Sequence, residues 1–155
     1  MGKEIERKFL VRRDLWYAFR KPVGINIVQA YIVNEAGKVI RIRVAGESGF
    51  ITIKGPVKEF TREEFEYPLP LPDAMKLMEL FTVKRIEKTR YRIHFQNHLW
   101  EVDEFYGEND GLIIAEIELK SQEEAFETPS WLGEEVTFDH RYFNSYFSDH
   151  PFNSW

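Results

Sequence analysis

The opening stretch of the chain, Glu4-Ile5-Glu6-Arg7-Lys8, places two carboxylates and an ammonium group at every second position. Alternate side chains of a β-strand share a face, so Glu4, Glu6 and Lys8 are predicted to point the same way, with the carboxylates about 6.5–7 Å apart. Carboxylate oxygens are the ligands that hard divalent cations such as Mg²⁺ prefer. One such pair is usually a solvated strand face, so the chemistry depends on whether the pattern recurs.

The same alternation does recur, and each predicted strand carries charge of mainly one sign. The further acidic pairs are Glu64/Glu66, Glu101/Asp103 and Glu116/Glu118, and the basic sets are Arg41/Arg43 and Lys88/Arg90/Arg92. A solvated face normally mixes signs, because neighbouring like charges destabilise each other. Sets of one sign therefore call for neutralising partners. Divalent cations suit the carboxylates, and a polyanion such as a phosphate chain suits the arginines and lysines.

These charges need a scaffold that brings them together. Hydrophobic alternation predicts a single α+β domain over residues 1–155, with about eight antiparallel strands and a few short helices. A sheet that closes with its charged face inward would hold both signs around one lumen, and its apolar outer face would need covering by the helices. Helices are predicted over 15–20, 74–81 and 141–147 and after Ser121, with Asp14, Ser121 and Asp139 as N-caps and Glu124 completing a capping box.

Composition excludes several classes of function. The chain has 155 residues, no cysteine and a net charge of −5. The absence of cysteine removes disulfide scaffolds, thiolate zinc sites and cysteine nucleophiles, and the acidic balance argues against general nucleic-acid binding. No apolar run reaches membrane-spanning length and no signal-peptide core is evident, so a cytoplasmic protein without a membrane partner is expected. The four histidines have no ligand-like spacing.

Several sequence blocks resemble the CYTH superfamily, the triphosphate tunnel metalloenzymes. Residues 4–8 match the family's ExExK signature, which alone is a weak signal. Further blocks follow in the family's order: Gln29-Ala30-Tyr31, Arg41-Ile42-Arg43, Thr52-Ile53-Lys54, Arg62-Glu63-Glu64-Phe65-Glu66, Glu87-Lys88-Thr89-Arg90-Tyr91, Glu101-Val102-Asp103, Ala115-Glu116-Ile117-Glu118, Gly133-Glu134-Glu135-Val136-Thr137 and Arg141-Tyr142-Phe143-Asn144. So many blocks in one order make the resemblance specific.

The resemblance implies an eight-stranded antiparallel β-barrel, a tunnel with short helices packed outside and at one end, that binds a triphosphate with Mg²⁺ or Mn²⁺ and hydrolyses a phosphoanhydride bond. It implies Glu4, Glu6, Asp103, Glu116 and Glu118 as metal ligands. The implied phosphate-binding residues are Lys8, Arg41, Arg43, Lys54, Arg62, Lys88 and Arg90. Glu64 and Asp103 are candidates to accept the proton of the attacking water, and Lys8 and Arg141 are further candidates for a catalytic role.

Several substrates and functions stay open at this point. The chain is most similar to bacterial inorganic triphosphatases, but members of the superfamily also act on thiamine triphosphate or nucleoside triphosphates, or cyclise ATP. Members of the cyclase subgroup have a His-Phe pair shortly before the ExExK signature. The three residues that precede Glu4 here do not contain this pair. A non-catalytic polyphosphate-binding protein and a plain barrel with a solvated interior are the alternatives. The expected partner is a small triphosphate, bound by a monomer or a homodimer.

Overall fold

The computed structural model describes the backbone of residues 2–82 and 84–155, and the side chains of 5–82 and 84–155. This part of the chain forms nine strands, three short α-helices and three 3-10 turns. The strands are β1 (Gly2–Val11), β2 (Ile25–Glu35), β3 (Lys38–Ala45), β4 (Ser48–Lys58), β5 (Thr61–Leu69), β6 (Ile86–Phe95), β7 (His98–Phe105), β8 (Ile113–Glu118) and β9 (Leu132–Glu135). The helices are α1 (Arg13–Ala18), α2 (Leu71–Phe81) and α3 (Asn144–Phe147), and the 3-10 turns are Gly107–Asn109, His140–Tyr142 and Phe152–Ser154.

Eight of the strands close into an antiparallel ring, in the order β1-β5-β4-β3-β2-β6-β7-β8 and back to β1. The predicted eight-stranded barrel is therefore confirmed. Strand β1 closes the ring by using both of its edges. One edge pairs with β8, and the other is shared, with residues 2–5 on β5 and residues 9 and 11 on β9.

The apolar faces of the strands point outward and are covered, as the alternation predicts. On one side of the barrel, Trp16 of α1 and Trp131 pack as a T-shaped pair with ring centroids 5.2 Å apart. They cover outward side chains of four strands, namely Phe9, Ile93, Trp100, Val102, Ala115 and Ile117. On the opposite side, α2 buries Ala74 and Met78 against β2 and β3. Removal of this apolar surface from water is the main force that holds the helices to the barrel.

Two of the helix predictions differ from the structure. Helix α1 begins at Arg13, so Asp14 lies in its first turn and not at the N-cap. No helix follows Ser121, because the Glu124 carboxylate does not close a capping box. It accepts hydrogen bonds from the Lys120 backbone N–H and from His98 Nε2, which tie a turn to the start of β7. None of the helices in the described residues is both long and apolar enough to cross a bilayer.

The carboxy-terminal segment closes one end of the barrel. The Asp139 carboxylate caps a 3-10 turn, as predicted for an N-cap, and α3 is shorter than predicted. Phe147 of α3 is fully buried, with its ring edge-on to Phe105 at a centroid distance of 4.9 Å. Ile86 and Ile114 belong to the same cluster. The lumen is therefore apolar where α3 enters it.

Candidate active site

The barrel encloses a cavity of about 880 Å³ lined by side chains from all eight strands of the ring. Successive residues of a strand point to opposite faces, so the charged alternate positions are directed to the inner face of the barrel. Eleven of the residues expected to act in the site lie on its wall: Glu6, Lys8, Arg41, Arg43, Lys54, Arg62, Glu64, Lys88, Arg90, Glu116 and Glu118. The interior is polar and the exterior apolar, which inverts the usual small barrel.

The two signs of charge occupy opposite arcs of the wall. The acidic arc runs over four adjacent strands, β7, β8, β1 and β5, and carries Glu101, Glu116, Glu118, Glu6, Glu64 and Glu66. The basic arc runs over β4, β3, β2 and β6, and carries Lys54, Arg41, Arg43, Lys88, Arg90 and Arg92. Lys8 and Arg62 are basic residues within the acidic arc. The lumen thus has one wall suited to cations and one suited to a polyanion.

The centre of the acidic arc is the pairing of β1 with β8. Glu6 lies directly opposite Glu118, and Lys8 lies opposite Glu116. Burial, together with the charge of Glu6 and a hydrogen bond to it, raises the pKa of Glu116. Burial and Glu6 likewise raise the pKa of Glu118. Two carboxyls that share a hydrogen bond must share a proton or a cation, because two adjacent carboxylates repel each other.

The oxygen-only donor set of this arc fits a hard divalent cation such as Mg²⁺ or Mn²⁺. Glu6 raises the pKa of both Glu116 and Glu118, and Glu116 also raises that of Glu118, which means that a positive charge between them would be stabilised. Among the side chains that the structure describes, no three His, Cys, Asp or Glu residues already stand at metal-binding geometry. The expected ligand Glu4 pairs through its backbone with Arg62 of β5, and its side chain lies outside the described residues.

Asp103 lies beneath the basic arc and holds two of its cations. It is 1% exposed and does not line the cavity. Its carboxylate accepts hydrogen bonds from Arg90 Nε and Nη2 at 2.8 and 2.9 Å and lies 2.8 Å from Lys88 Nζ. Burial alone would raise the pKa of Asp103, yet Arg90 and Lys88 overcome it and hold the pKa well below its usual range. Burial lowers the pKa of Lys88, which Asp103 opposes.

The remaining cations of the basic arc are held by neighbouring side chains. Glu66 Oε1 lies 2.9 Å from Arg43 Nη2 and 3.8 Å from Arg41 Nη2. Burial, with Arg41 beside it, lowers the pKa of Arg43 to about 10, so the guanidinium stays charged at neutral pH. Among the described residues, the buried Nε atoms of Arg41 and Arg43 have no hydrogen-bond partner. Lys54 Nζ lies 3.8 Å from Glu64.

Arg141, like Asp103, is an expected catalytic residue that does not line the cavity. Arg141 lies in the 3-10 turn before α3, with its side chain 50% exposed and paired with Asp139 at 2.7 Å. The segment reaches the lumen through its neighbours, because the Tyr142 carbonyl accepts a hydrogen bond from Lys8 Nζ and Asn144 Oδ1 accepts one from Lys88 Nζ.

Some wall residues were not among the expected site residues. The sequence pattern could have identified Glu66, Glu101 and Arg92, since each shares a strand face with an expected site residue two positions away. It could also have identified Tyr31, because the alternation places it on the face of Gln29 in a strand between two basic strands. Asn144 had no signal from periodicity, because it lies in a short segment, although it ends the block Arg141-Tyr142-Phe143-Asn144 that resembles the family.

The fold and this lumen define a class of protein, a closed β-tunnel with an acidic wall facing a basic wall. The family model for the CYTH domain matches residues 2–149, and the chain belongs to this family. It is 43% identical to an inorganic triphosphatase of Acetivibrio thermocellus over all of this chain and 99% of the relative. It is 33% identical to an inorganic triphosphatase of Nitrosomonas europaea over 91% of this chain and 93% of the relative. A solved structure of an inorganic triphosphatase is 32% identical, covers 96% of this chain and 95% of its own, and has a TM-score of 0.66.

Proposed function

We propose that the protein hydrolyses inorganic tripolyphosphate to pyrophosphate and orthophosphate inside the charged lumen, with the help of a divalent metal ion. The observation that carries the proposal is the division of the wall into an acidic arc and a basic arc. A linear triphosphate is a compact polyanion whose oxygens can contact cations on one side and metal on the other. The two curated relatives that are named inorganic triphosphatases support the same substrate.

The basic residues bind and orient the substrate. Phosphoryl transfer asks a protein mainly for positioning and for neutralisation of charge. In the proposal, the guanidinium groups of Arg41 and Arg43, together with Lys54, Lys88 and Arg90, contact phosphate oxygens from the basic arc, while Lys8 and Arg62 do so from the facing strands. Donors that are fixed before the substrate arrives stabilise developing charge without the cost of reorganisation.

Glu6, Glu116 and Glu118, with Glu4 beside them on β1, would hold the divalent cation, either Mg²⁺ or Mn²⁺. Such an ion, when bound, neutralises phosphate charge and lowers the pKa of a coordinated water. Asp103 takes a different part in this proposal from the ligand role that the family resemblance implies. Its oxygens already contact Lys88 and Arg90, so it acts as a positioning residue for these two cations.

Glu64 is the carboxylate that we assign to accept the proton of the attacking water. It lies on the wall, opposite Lys54 in the pairing of β4 with β5. The water oxygen forms a bond to the terminal phosphorus, and the bridging P–O bond breaks. Orthophosphate and pyrophosphate leave, and the water proton passes to Glu64 and then to solvent. Asp103 is less suited to this step, because its two cations hold its pKa well below the usual range.

Phosphate release from tripolyphosphate, ATP and thiamine triphosphate, each with Mg²⁺, Mn²⁺ or EDTA, tests the function. Fast release from tripolyphosphate that EDTA abolishes is expected, with much slower release from the other two. Loss of ATP with formation of pyrophosphate and cyclic AMP would establish a cyclase in place of a triphosphatase. Binding of all three without turnover would establish a non-catalytic polyphosphate-binding tunnel.

The variant Glu118→Gln tests the metal-binding carboxylates. Activity is expected to fall by about a hundredfold or more, because a ligand is lost. The metal-free variant should melt at or slightly above the temperature of the parent, because burial and Glu6 already disfavour the charge that is removed. Melting curves in EDTA and initial rates in Mg²⁺ measure the two effects. Full activity of the variant would contradict the assignment.

A further inference from the structure

A chain of polar side chains connects the carboxy-terminal segment to the wall of the lumen. Asn144 Oδ1 accepts hydrogen bonds from Lys88 Nζ at 3.2 Å and from Gln29 Nε2 at 3.1 Å. Gln29 Nε2 also donates to the hydroxyl oxygen of Tyr31 at 3.3 Å. Gln29 is fully buried, whereas Tyr31 lines the cavity. The chain therefore ends at the hydroxyl group of a residue that lines the cavity.

The direction of these hydrogen bonds follows from Lys88. Its ammonium group lies 2.8 Å from Asp103 and can only donate, so the oxygen and not the nitrogen of the Asn144 amide must face it. That oxygen in turn requires the NH₂ group of Gln29. The same NH₂ group donates to Tyr31, so the hydroxyl oxygen accepts and its own hydrogen must point elsewhere.

This direction leaves one buried oxygen without a partner. Gln29 Oε1 is buried and has no hydrogen-bond partner among the described residues. Turning the Gln29 amide over would give that oxygen the Tyr31 hydroxyl as a donor, but it would remove the donor that Asn144 Oδ1 accepts from. A buried polar atom without a partner is costly and uncommon in folded proteins. The observed orientation of the Gln29 amide accepts the cost of an unpartnered Oε1. In this orientation the hydrogen of the Tyr31 hydroxyl is not used by Gln29 and can be donated to another group.

The hydrogen of Tyr31 has an evident destination in the lumen. Arg41, Lys8 and Arg62 are the cations that act on its hydroxyl, so this group lies where the basic residues meet. Burial raises the pKa of Tyr31, and the group is a neutral phenol at physiological pH. A phenol among cations is a donor for the anion that those cations bind.

We propose that the Tyr31 hydroxyl donates a hydrogen bond to a phosphate oxygen of the substrate, and that Gln29 and Asn144 are positioning residues that hold its hydrogen toward the lumen. The inference rests on the proposed function, since it names a further contact to the same triphosphate. It also gives the carboxy-terminal segment a role in binding through Asn144, beyond closing one end of the barrel.

A double-mutant cycle on Tyr31 and Gln29 tests the proposal. Tyr31→Phe removes the donor, and Gln29→Glu replaces the NH₂ group with an acceptor that draws the Tyr31 hydrogen away from the substrate. Each variant should lower kcat/KM for tripolyphosphate about tenfold, as expected for one hydrogen bond to a charged group. The double variant should also lose about tenfold, because Gln29 acts through Tyr31.

Losses that multiply in the double variant, or a Tyr31→Phe variant as active as the parent, would overturn the inference. Gln29→Leu, which removes the donor without adding charge, replaces Gln29→Glu if that variant does not fold and should likewise add no loss to Tyr31→Phe. Tyr67→Phe is the matched control, because Tyr67 is 52% exposed and does not line the cavity.

The dissociation constant of inorganic tripolyphosphate, measured by calorimetry in EDTA, separates this inference from the proposed function. If the parent binds tripolyphosphate but does not hydrolyse it, the proposed function fails. A dissociation constant about tenfold higher for Tyr31→Phe than for the parent, with no further rise in the double variant, would then still support the hydroxyl contact. Equal binding by the parent and Tyr31→Phe, with equal turnover, would overturn it.

Discussion

Single residues show how this protein keeps charge in its interior. Asp103 is buried with Arg90 and Lys88, and its two oxygens contact both. Desolvation of charges is expensive, and such a group is stable only because each member is paired. The two cations line the cavity, and a carboxylate that is itself inaccessible fixes them. The residue that positions the cations is thus distinct from the residues that line the cavity.

Asp103→Asn should destabilise the protein strongly, because it leaves two buried cations without their counter-charge. The free energy of unfolding is expected to fall by about 3–5 kcal/mol. Glu101→Gln is the matched control on the same strand face, since Glu101 is partly exposed and pairs with Arg90 and Arg92 at 3.5 and 3.4 Å. It should cost less than about 1 kcal/mol. Urea unfolding at pH 7 measures both, and equal losses would contradict the separate role of Asp103.

The sequence alone could not separate Asp103 from its neighbour Glu101. Both lie on the same face of one predicted strand at a spacing of two, and both are acidic. Burial distinguishes them, and burial at this point depends on Lys88 and Arg90 of the adjacent strand. The alternation predicted which residues face inward, but not which of them reach the cavity and which stay behind the wall.

At the scale of elements, β9 is held to the edge of β1 by side-chain contacts as well as by backbone pairing. Arg7 Nε and Nη2 donate to the Glu135 carboxylate at 2.9 and 2.6 Å. The Arg7 guanidinium also lies 5.1 Å from the ring centroid of Phe126 and 5.6 Å from that of Phe60. Arg7 therefore joins β9, the loop before it and the turn between β4 and β5 at one point.

This contact should make β9 sensitive to acid. The hydrogen bond from Arg7 lowers the pKa of Glu135. A carboxyl with a lowered pKa in the folded state stabilises the fold above its unfolded pKa, and this contribution is lost as the pH falls through the folded pKa. At pH 7, Glu135→Gln should lower the free energy of unfolding by about 0.5–1 kcal/mol.

The difference between parent and Glu135→Gln should begin to shrink below the ordinary glutamate pKa of about 4.3. Urea unfolding over a series of pH values measures this difference. Glu134→Gln removes the same charge from the neighbouring position outside the Arg7 contact and should have little effect at any pH. A difference for Glu135→Gln that is constant down to low pH would contradict the contribution of its charge.

Elements with a clear period were predicted, whereas β9 was missed and the helix predicted over 141–147 is only the short α3. The eight strands of the ring alternate in polarity, and this alternation predicted both the strands and the faces that point inward. Strand β9 is only four residues long, and α3 is a single turn. Neither carries enough residues to show a period. The prediction of a helix after Ser121 was wrong, because Ser and Glu at capping-box spacing also occur in turns. Here the Glu124 carboxylate of such a turn is hydrogen-bonded to His98.

At the scale of the whole molecule, net charge and local charge have opposite signs. The chain carries −5 overall, while the basic arc gathers six cations on one wall of the lumen. A cleft lined by one sign focuses its field inside low-dielectric walls, so attraction for a polyanion is confined to the tunnel. Net charge argues against a general nucleic-acid surface, but it could not reveal the basic arc.

Tripolyphosphate should stabilise the protein even without metal, because it relieves repulsion within the basic arc. A ligand at about a hundred times its dissociation constant adds about 2.7 kcal/mol. In a chain of this size, that corresponds to a rise of about 5–10 °C in Tm. Thermal melts in EDTA measure the shift, which should fade as NaCl is added. Orthophosphate at matched ionic strength is the control, and an equal shift with it would contradict a site for a linear triphosphate.

Strand β1 is the first to be synthesised and among the last to be fully paired. Glu6 pairs with Glu118, and Phe9 pairs with Glu135. Such long-range pairings form slowly, and domains on the ribosome become complete only when their last partners emerge. Until β8 is released, a nascent chain carries the cations of β3 and β6 without Glu116 and Glu118 opposite Lys8 and Glu6. A chain that stalls at that stage would expose an unpaired edge of β1 and attract anions without the means to turn them over.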